Sequence, residues 1–155
     1  MAIFKLDGVD GVVSYPKKFV SLYAQGVITK GDVVGIGTVV TKGAGLHVVV
    51  TDATTALTDG SIRVVGVAAE SATDGDTVRI QVAGYNSDAT SGAAAIAVNL
   101  EVQFDIASVA GKAGCLMAAA APDATHKPFG IVVEPYSAAD VSDGAIFIYD
   151  HGYYG

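Results

Sequence analysis

The sequence predicts an all-β protein, a small barrel or sandwich built from two loosely duplicated halves, with room for one short helix. Three observations predict it. Nineteen glycines are dispersed through the 155 residues, commonly beside Asp, Lys or Ser, and so punctuate short segments with turn signals. Thr77 to Ala83 alternates strictly, with Val78, Ile80 and Val82 on one face and Thr77, Arg79 and Gln81 on the other, as in a strand with one buried and one wet face. Finally, the stretch RVVGVAAESATDGDTVRIQVAG at 63–84 is echoed by FGIVVEPYSAADVSDGAIFIYD at 129–150.

In chain order, strands are expected at 18–23, then at 32–36 after the Lys30-Gly31 turn, 38–41 ahead of Lys42-Gly43, 46–51, 62–70 after Asp59-Gly60, and 77–83 after Asp74-Gly75. The second half offers 94–98 after Ser91-Gly92, then 101–106, 114–119, 129–134, and 145–149 after Asp143-Gly144. The Ala-rich passages SGAAAIAV and CLMAAAAP are where a short helix would form, since Ala is the best helix former. Aligning the copies matches Gly66 with Gly130, Val67 with Ile131 and Glu70 with Glu134, and sets Asp74-Gly75 against Asp143-Gly144 across a five-residue insertion. Upstream, VITKGDVVGI matches AIAVNLEVQF, and an Asp-Ala-Thr triplet at 52–54 recurs at 123–125. A repeat of this length is a supersecondary duplication, for which a pseudo-twofold relation between halves is expected. The domain reading is an N-terminal arm or edge segment at 1–23, then a β domain at 24–155 with halves at about 24–84 and 94–150.

Composition narrows the function classes. The net charge of −7 is uneven: residues 1–30 carry Lys5, Lys17, Lys18 and Lys30 against Asp7 and Asp10, leaving the acidic excess on the rest of the chain. An acidic body argues against a nucleic-acid partner, which needs clustered Lys and Arg. Cys115 is the only cysteine and sits in apolar surroundings, the setting of an inert buried thiol. The start MAIFKLDGVDG lacks the pattern of a secretory signal, and no apolar run approaches the roughly 20 residues a membrane-spanning helix needs, so a soluble protein made in the cytoplasm and without a membrane partner is expected.

No reaction chemistry stands out, and the expectation is a protein that is not an enzyme and carries no cofactor or metal. The glycines of GIGTVVTKG and GKAG lack the Lys-Ser/Thr ending of a phosphate loop. His47, His126 and His151 are far apart and match no metal motif, and there is no Gly-x-Ser-x-Gly nucleophile elbow. Asp74-Gly75-Asp76 offers carboxylates but not the further ligands of a calcium loop; a hairpin turn accounts for it.

Aromatic residues gather at the ends of the chain. Tyr15, Phe19 and Tyr23 stand near the start, and Phe147, Tyr149, Tyr153 and Tyr154 near the close. Segment 145–149 is apolar on both faces, which fits a strand sandwiched in the fold or presented to a partner. Phe147, Tyr149, Tyr153 and Tyr154 are therefore candidate oligomer-interface residues. The front segment, with Ile3, Phe4, Lys5 and Leu6 and then Tyr15, Lys17, Lys18 and Phe19, offers apolar anchors and positive charge for docking onto an acidic surface.

The order QGVITKGDVVGIG followed by VVGVAAESATDGDTVRIQVAG resembles tailed-bacteriophage capsid decoration, or cement, proteins, in an early Ile-x-x-Gly-Asp-x-Val (Ile28 to Val34) and a later Gly-Val-Ala leading through an acidic turn into a Val-rich strand. The match spans about 24–84 and more weakly the second half; the first 23 residues stand outside it. The resemblance implies a virion protein on the capsid exterior, often trimeric, with the major capsid protein as partner and reinforcement of the head as its role. Two other classes remain open: a carbohydrate-binding or adhesive β module, against which the absence of Trp counts, and a small β-barrel enzyme.

Overall fold

The computed structural model describes residues 17–36, 47–50, 64–92, 94–104, 113–119 and 128–150. Those residues form nine strands and no helix: β1 (Lys18–Ala24), β2 (Val33–Ile36), β3 (His47–Val50), β4 (Val64–Ala68), β5 (Thr77–Asn86), β6 (Glu101–Phe104), β7 (Leu116–Ala118), β8 (Gly130–Glu134) and β9 (Ala145–Ile148). The sheet order is β1-β3-β2-β4-β5-β9-β8-β6-β7, and a further pairing of β1 with β5 closes the first five strands into a barrel. Closure removes free strand edges without needing a large core. The all-β barrel expectation holds. Segment 94–98 departs from expectation: it is neither strand nor helix, and Ile96 alone makes a bridge, to Tyr136. Segment 38–41 lies outside the described residues.

β5 is longer than the alternating segment because it serves both halves. Its first part pairs with β1 (Val20↔Ile80, Leu22↔Val78) and β4, while Gly84, Tyr85 and Asn86 pair with Ile148, Phe147 and Ile146 of β9. The expected alternation holds from Thr77 to Ile80 and fails at Gln81, which is buried with its amide donating to the Ala83 and Tyr85 carbonyls. Val78 and Ile80 are fully buried with Ala24, Ile28, Val34, Val48 and Ala68, whereas Thr77 and Arg79 are exposed.

The two halves make the same backbone connections. Val34 lies opposite Gly66 and Val50, and Val102 lies opposite Gly130 and Ala118. Ile28 bridges Ala72 as Ile96 bridges Tyr136. The amide of Gly31 donates to the Ala68 carbonyl at 2.9 Å and that of Asn99 to the Val132 carbonyl at 2.9 Å; both residues have positive φ, 93° and 67°. Asn is among the few non-glycine residues that accept that conformation. The β1 position is filled in the second half by the segment ending at Ser91, which forms a parallel bridge to Leu116 as Ala24 pairs in parallel with Val48. Turns correspond differently from the sequence alignment. Gly75 donates to the Ala24 carbonyl and Asp140 to that of Ser91, so Asp140 (φ 58°) matches Gly75 (φ 84°), and Asp143-Gly144 is displaced from the expected equivalence.

The halves meet through unlike faces. Val33 and Val67, on the outside of the first barrel, join the second core of Ile96, Val102, Leu116, Val132, Tyr136, Ile146 and Ile148. Lys30 Nζ lies 3.1 Å from Asp88 Oδ1, and a Cβ added at Gly31 would fall 2.3 Å from the Asp88 carbonyl oxygen, so only glycine allows this approach. Val33 donates to the Gly114 carbonyl at 2.7 Å, and burial pushes the neighbouring Asp32 carboxyl up from its ordinary pKa, partly offset by the Thr29 amide it accepts. The residue equivalent to Asp88 is Ser21, and the one equivalent to Lys30 is Val98; both are exposed. A twofold relation would join like faces, and the observed relation is head-to-tail instead.

Candidate interaction surface

The outer side of β1 carries a group of exposed rings and cations. Alternation sends Val20 and Leu22 towards the core and Phe19, Ser21 and Tyr23 outwards. Phe19 is 42% exposed and Tyr23 43% exposed. Across the ladder Ser21 faces Arg79, whose guanidinium carbon sits 5.0 Å from the Phe19 ring centroid. Lys17 Nζ lies 5.8 Å from the Tyr85 centroid, and the Tyr23 and His47 rings are 5.6 Å apart at 34°. The two cation–ring contacts keep positive charge beside exposed apolar surface, each worth about 0.5–1 kcal/mol at such a site. Lys18 pairs with Asp150, which brings the start of β1 beside the end of the chain's last described segment.

Of the proposed front anchors, Lys17, Lys18 and Phe19 therefore lie together, and Lys18 and Phe19 belong to a barrel strand. Ile3, Phe4, Lys5, Leu6 and Tyr15 lie outside the described residues, as do Tyr153 and Tyr154. Phe147 and Tyr149 are half-buried on the outside of the second half, where Phe147 lies between Tyr85 and Ile131 in the ladder. Tyr149 donates its hydroxyl to Glu101 at 3.0 Å, and Tyr85 donates to Glu134 at 3.2 Å. Desolvation, then the Glu101 hydrogen bond and charge, pushes Tyr149 up to about 12; desolvation and the Glu134 charge also push Tyr85 upward. These phenols stay neutral donors throughout the physiological range. Among the described residues no group of three potential metal ligands occurs.

With the barrel and its outer faces laid out, a structural relative can be placed. The chain is similar in fold to the head fiber gp8.5 N base of bacteriophage phi29. The TM-score is 0.55 at 13% identity, over 86% of this chain and 95% of that one, so the likeness covers both halves. No protein-family model and no curated protein matches the sequence.

Two exposed residues, Val98 and Leu100, each 44% exposed, were missed when the aromatic ends were singled out. Their signal was present in the aligned copies, where the charged Lys30 and Asp32 are replaced by apolar residues just ahead of an equivalent strand.

Proposed function

We propose that this protein is a structural component of a bacteriophage head, bound to the capsid exterior as a homotrimer and reinforcing the shell through contacts with the major capsid protein. The observation that carries this reading is the fold likeness to a head fiber base along nearly the whole of both chains. The acidic composition and the capsid-decoration resemblance of residues 24–84 support it. In this reading residues 1–16, together with Lys17, Lys18 and Phe19, anchor the protein to an acidic capsid patch, and three such segments on one trimer raise avidity by roughly 100-fold or more over a single one. Lys18, within the proposed anchor, pairs with Asp150 on the body.

Co-sedimentation with purified phage heads tests it. The intact protein should pellet with heads saturably, and deletion of residues 1–16 should weaken binding at least about tenfold while leaving the thermal melt unchanged. Equal binding by the truncated protein would remove the anchoring role of that segment; no binding by the intact protein would remove the head reading. An adhesive module is the second reading, favoured by the likeness to a head fiber base and by the exposed Phe19 and Tyr23 rings. It requires glycan-array binding that is lost in Phe19→Ala with Tyr23→Ala.

A further inference from the structure

The head-to-tail seam between the halves has a counterpart on each half that no other described residue fills. In the seam, Lys30, Gly31 and Asp32 of the first half receive Asp88 and Gly114 of the second. The equivalents of Lys30, Gly31 and Asp32 are Val98, Asn99 and Leu100, by the matched bridges of Ile28 and Ile96 and the matched amide bonds of Gly31 and Asn99. On the other side, counting back from the matched Ala24 and Ser91, the equivalents of Asp88 and Thr90 are Ser21 and Tyr23, with Phe19 next on the same face. Among the described residues, one copy of the chain thus carries a receiving face without its inserted strand and an inserting strand without its receiving face.

Exposure follows this pattern. The large apolar side chains exposed among the described residues are Phe19, Tyr23, Val27, Val98 and Leu100, and all but Val27 lie on these two faces. At the seam within the chain the same positions are polar or charged: Lys30 and Asp32 stand where Val98 and Leu100 do, and Thr90 where Tyr23 does. At these positions the free faces are more apolar than the seam they copy, although exposed Glu101 stands where the seam buries Val33; the exposed apolar side chains mark them for burial against another molecule. Charge agrees, since Arg79 and Lys17 flank the inserting strand, while exposed Glu101 follows Leu100 on the receiving face.

We propose that a second copy of this chain docks head-to-tail, its Phe19–Ser21–Tyr23 face seated on the Val98–Asn99–Leu100 face of the first, in continuation of the seam between the two halves. Such a contact joins unlike surfaces, so it closes into a ring when the rotation per copy divides a full turn and otherwise extends as a filament. Closure after three copies yields the homotrimer of the functional reading, but the docking itself does not depend on attachment to a head.

The test uses the full chain in solution without heads, so its failure is separable from failure of head binding. Sedimentation velocity of the wild type from low to high micromolar concentration should show association. Phe19→Asp with Tyr23→Asp removes the inserting face, and Val98→Asp with Leu100→Asp the receiving face; each double variant should associate at least about tenfold more weakly than wild type and sediment as monomer. Because all four side chains are exposed, both should keep the wild-type melt, and the milder Ser substitutions at the same positions serve if either does not. Mixing the two variants is decisive: each retains the face the other lacks, so the mixture should form a heterodimer and nothing larger. A wild type that stays monomeric, variants that associate like wild type, or a folded mixture that stays monomeric would each overturn the proposal.

Discussion

The two cores solve one packing problem with opposite size choices, and exchanging them is a sharp test of the repeat. In the first half the bridge partner of Ile28 is Ala72 and a buried position on β5 is Val78. In the second half the bridge partner of Ile96 is Tyr136, 1% exposed, and the position two before Ile146, as Val78 is two before Ile80, is Gly144. A Cβ at Gly144 would lie 2.7 Å from Tyr136 Cγ and from the Glu134 carbonyl oxygen, closer than real contacts allow. Gly144→Ala must therefore push a buried ring and a strand backbone apart, an overpacking cost of about 1–3 kcal/mol. At roughly 2–4 °C per kcal/mol for a chain of this size, Tm should fall by about 2–12 °C. Tyr136→Ala alone leaves a cavity and should cost about 3–5 kcal/mol, reduced somewhat because the buried Tyr136 hydroxyl has no hydrogen-bond partner among the described residues. The double variant Tyr136→Ala with Gly144→Val recreates the Ala72 and Val78 pair, and in a cycle of wild type, Tyr136→Ala, Gly144→Val and the double it should be more stable than the sum of those two singles by at least about 1 kcal/mol. Urea denaturation of all four proteins measures this cycle. A Gly144→Ala protein that melts like wild type, or strictly additive losses, would refute the packing equivalence.

Ile80→Asp places a carboxyl among Val34, Ala68 and Val78 in the closed barrel, and should abolish the cooperative thermal transition; a wild-type melt would show that this face is not core. Tyr149 should ionise near 12, read by tyrosinate absorbance, and Glu101→Gln, which removes the negative charge, should lower that value. Because its folded pKa is raised above the ordinary value of 10.0, the stability it contributes is complete below pH 10.0 and is lost as pH rises towards about 12. Lys18→Ala, at an ion pair whose side chains are 54% and 51% exposed, should cost under about 1 kcal/mol and less at high salt; a larger, salt-independent loss would show that Lys18 acts through packing.

Much of the architecture was legible in local patterns. Thr77 to Ile80 announced its buried and wet faces because a strand alternates with a period of two, whereas Gln81 is buried by hydrogen bonds that alternation does not foretell; the Gly-bearing turns bounded most of the segments that became strands. The aligned copies also contained Gly31 opposite Asn99 and Val34 opposite Val102, and these pairs proved to make the same hydrogen bonds and strand pairings. The turn equivalence failed for a physical reason: matching letters favoured Asp143-Gly144, whereas the chain needed positive φ at Asp140 to reach the Ser91 carbonyl. Segment 94–98 misled because its composition allows strand or helix, and only the Tyr136 partner settles its single bridge.

Which outward faces are covered was not written in any local pattern. Val33 and Val67 are buried although they point out of the first barrel, because the second half lies over them; Phe19, Tyr23, Val98 and Leu100 stay exposed because no described residue covers them comparably. The sequence by itself determined most of the strands and the inward face of Val78 and Ile80, since these follow from periodicity within a few residues. Closure of β1 onto β5 and the head-to-tail order of the halves depend on contacts between residues far apart in the chain, and only the tertiary structure decided them.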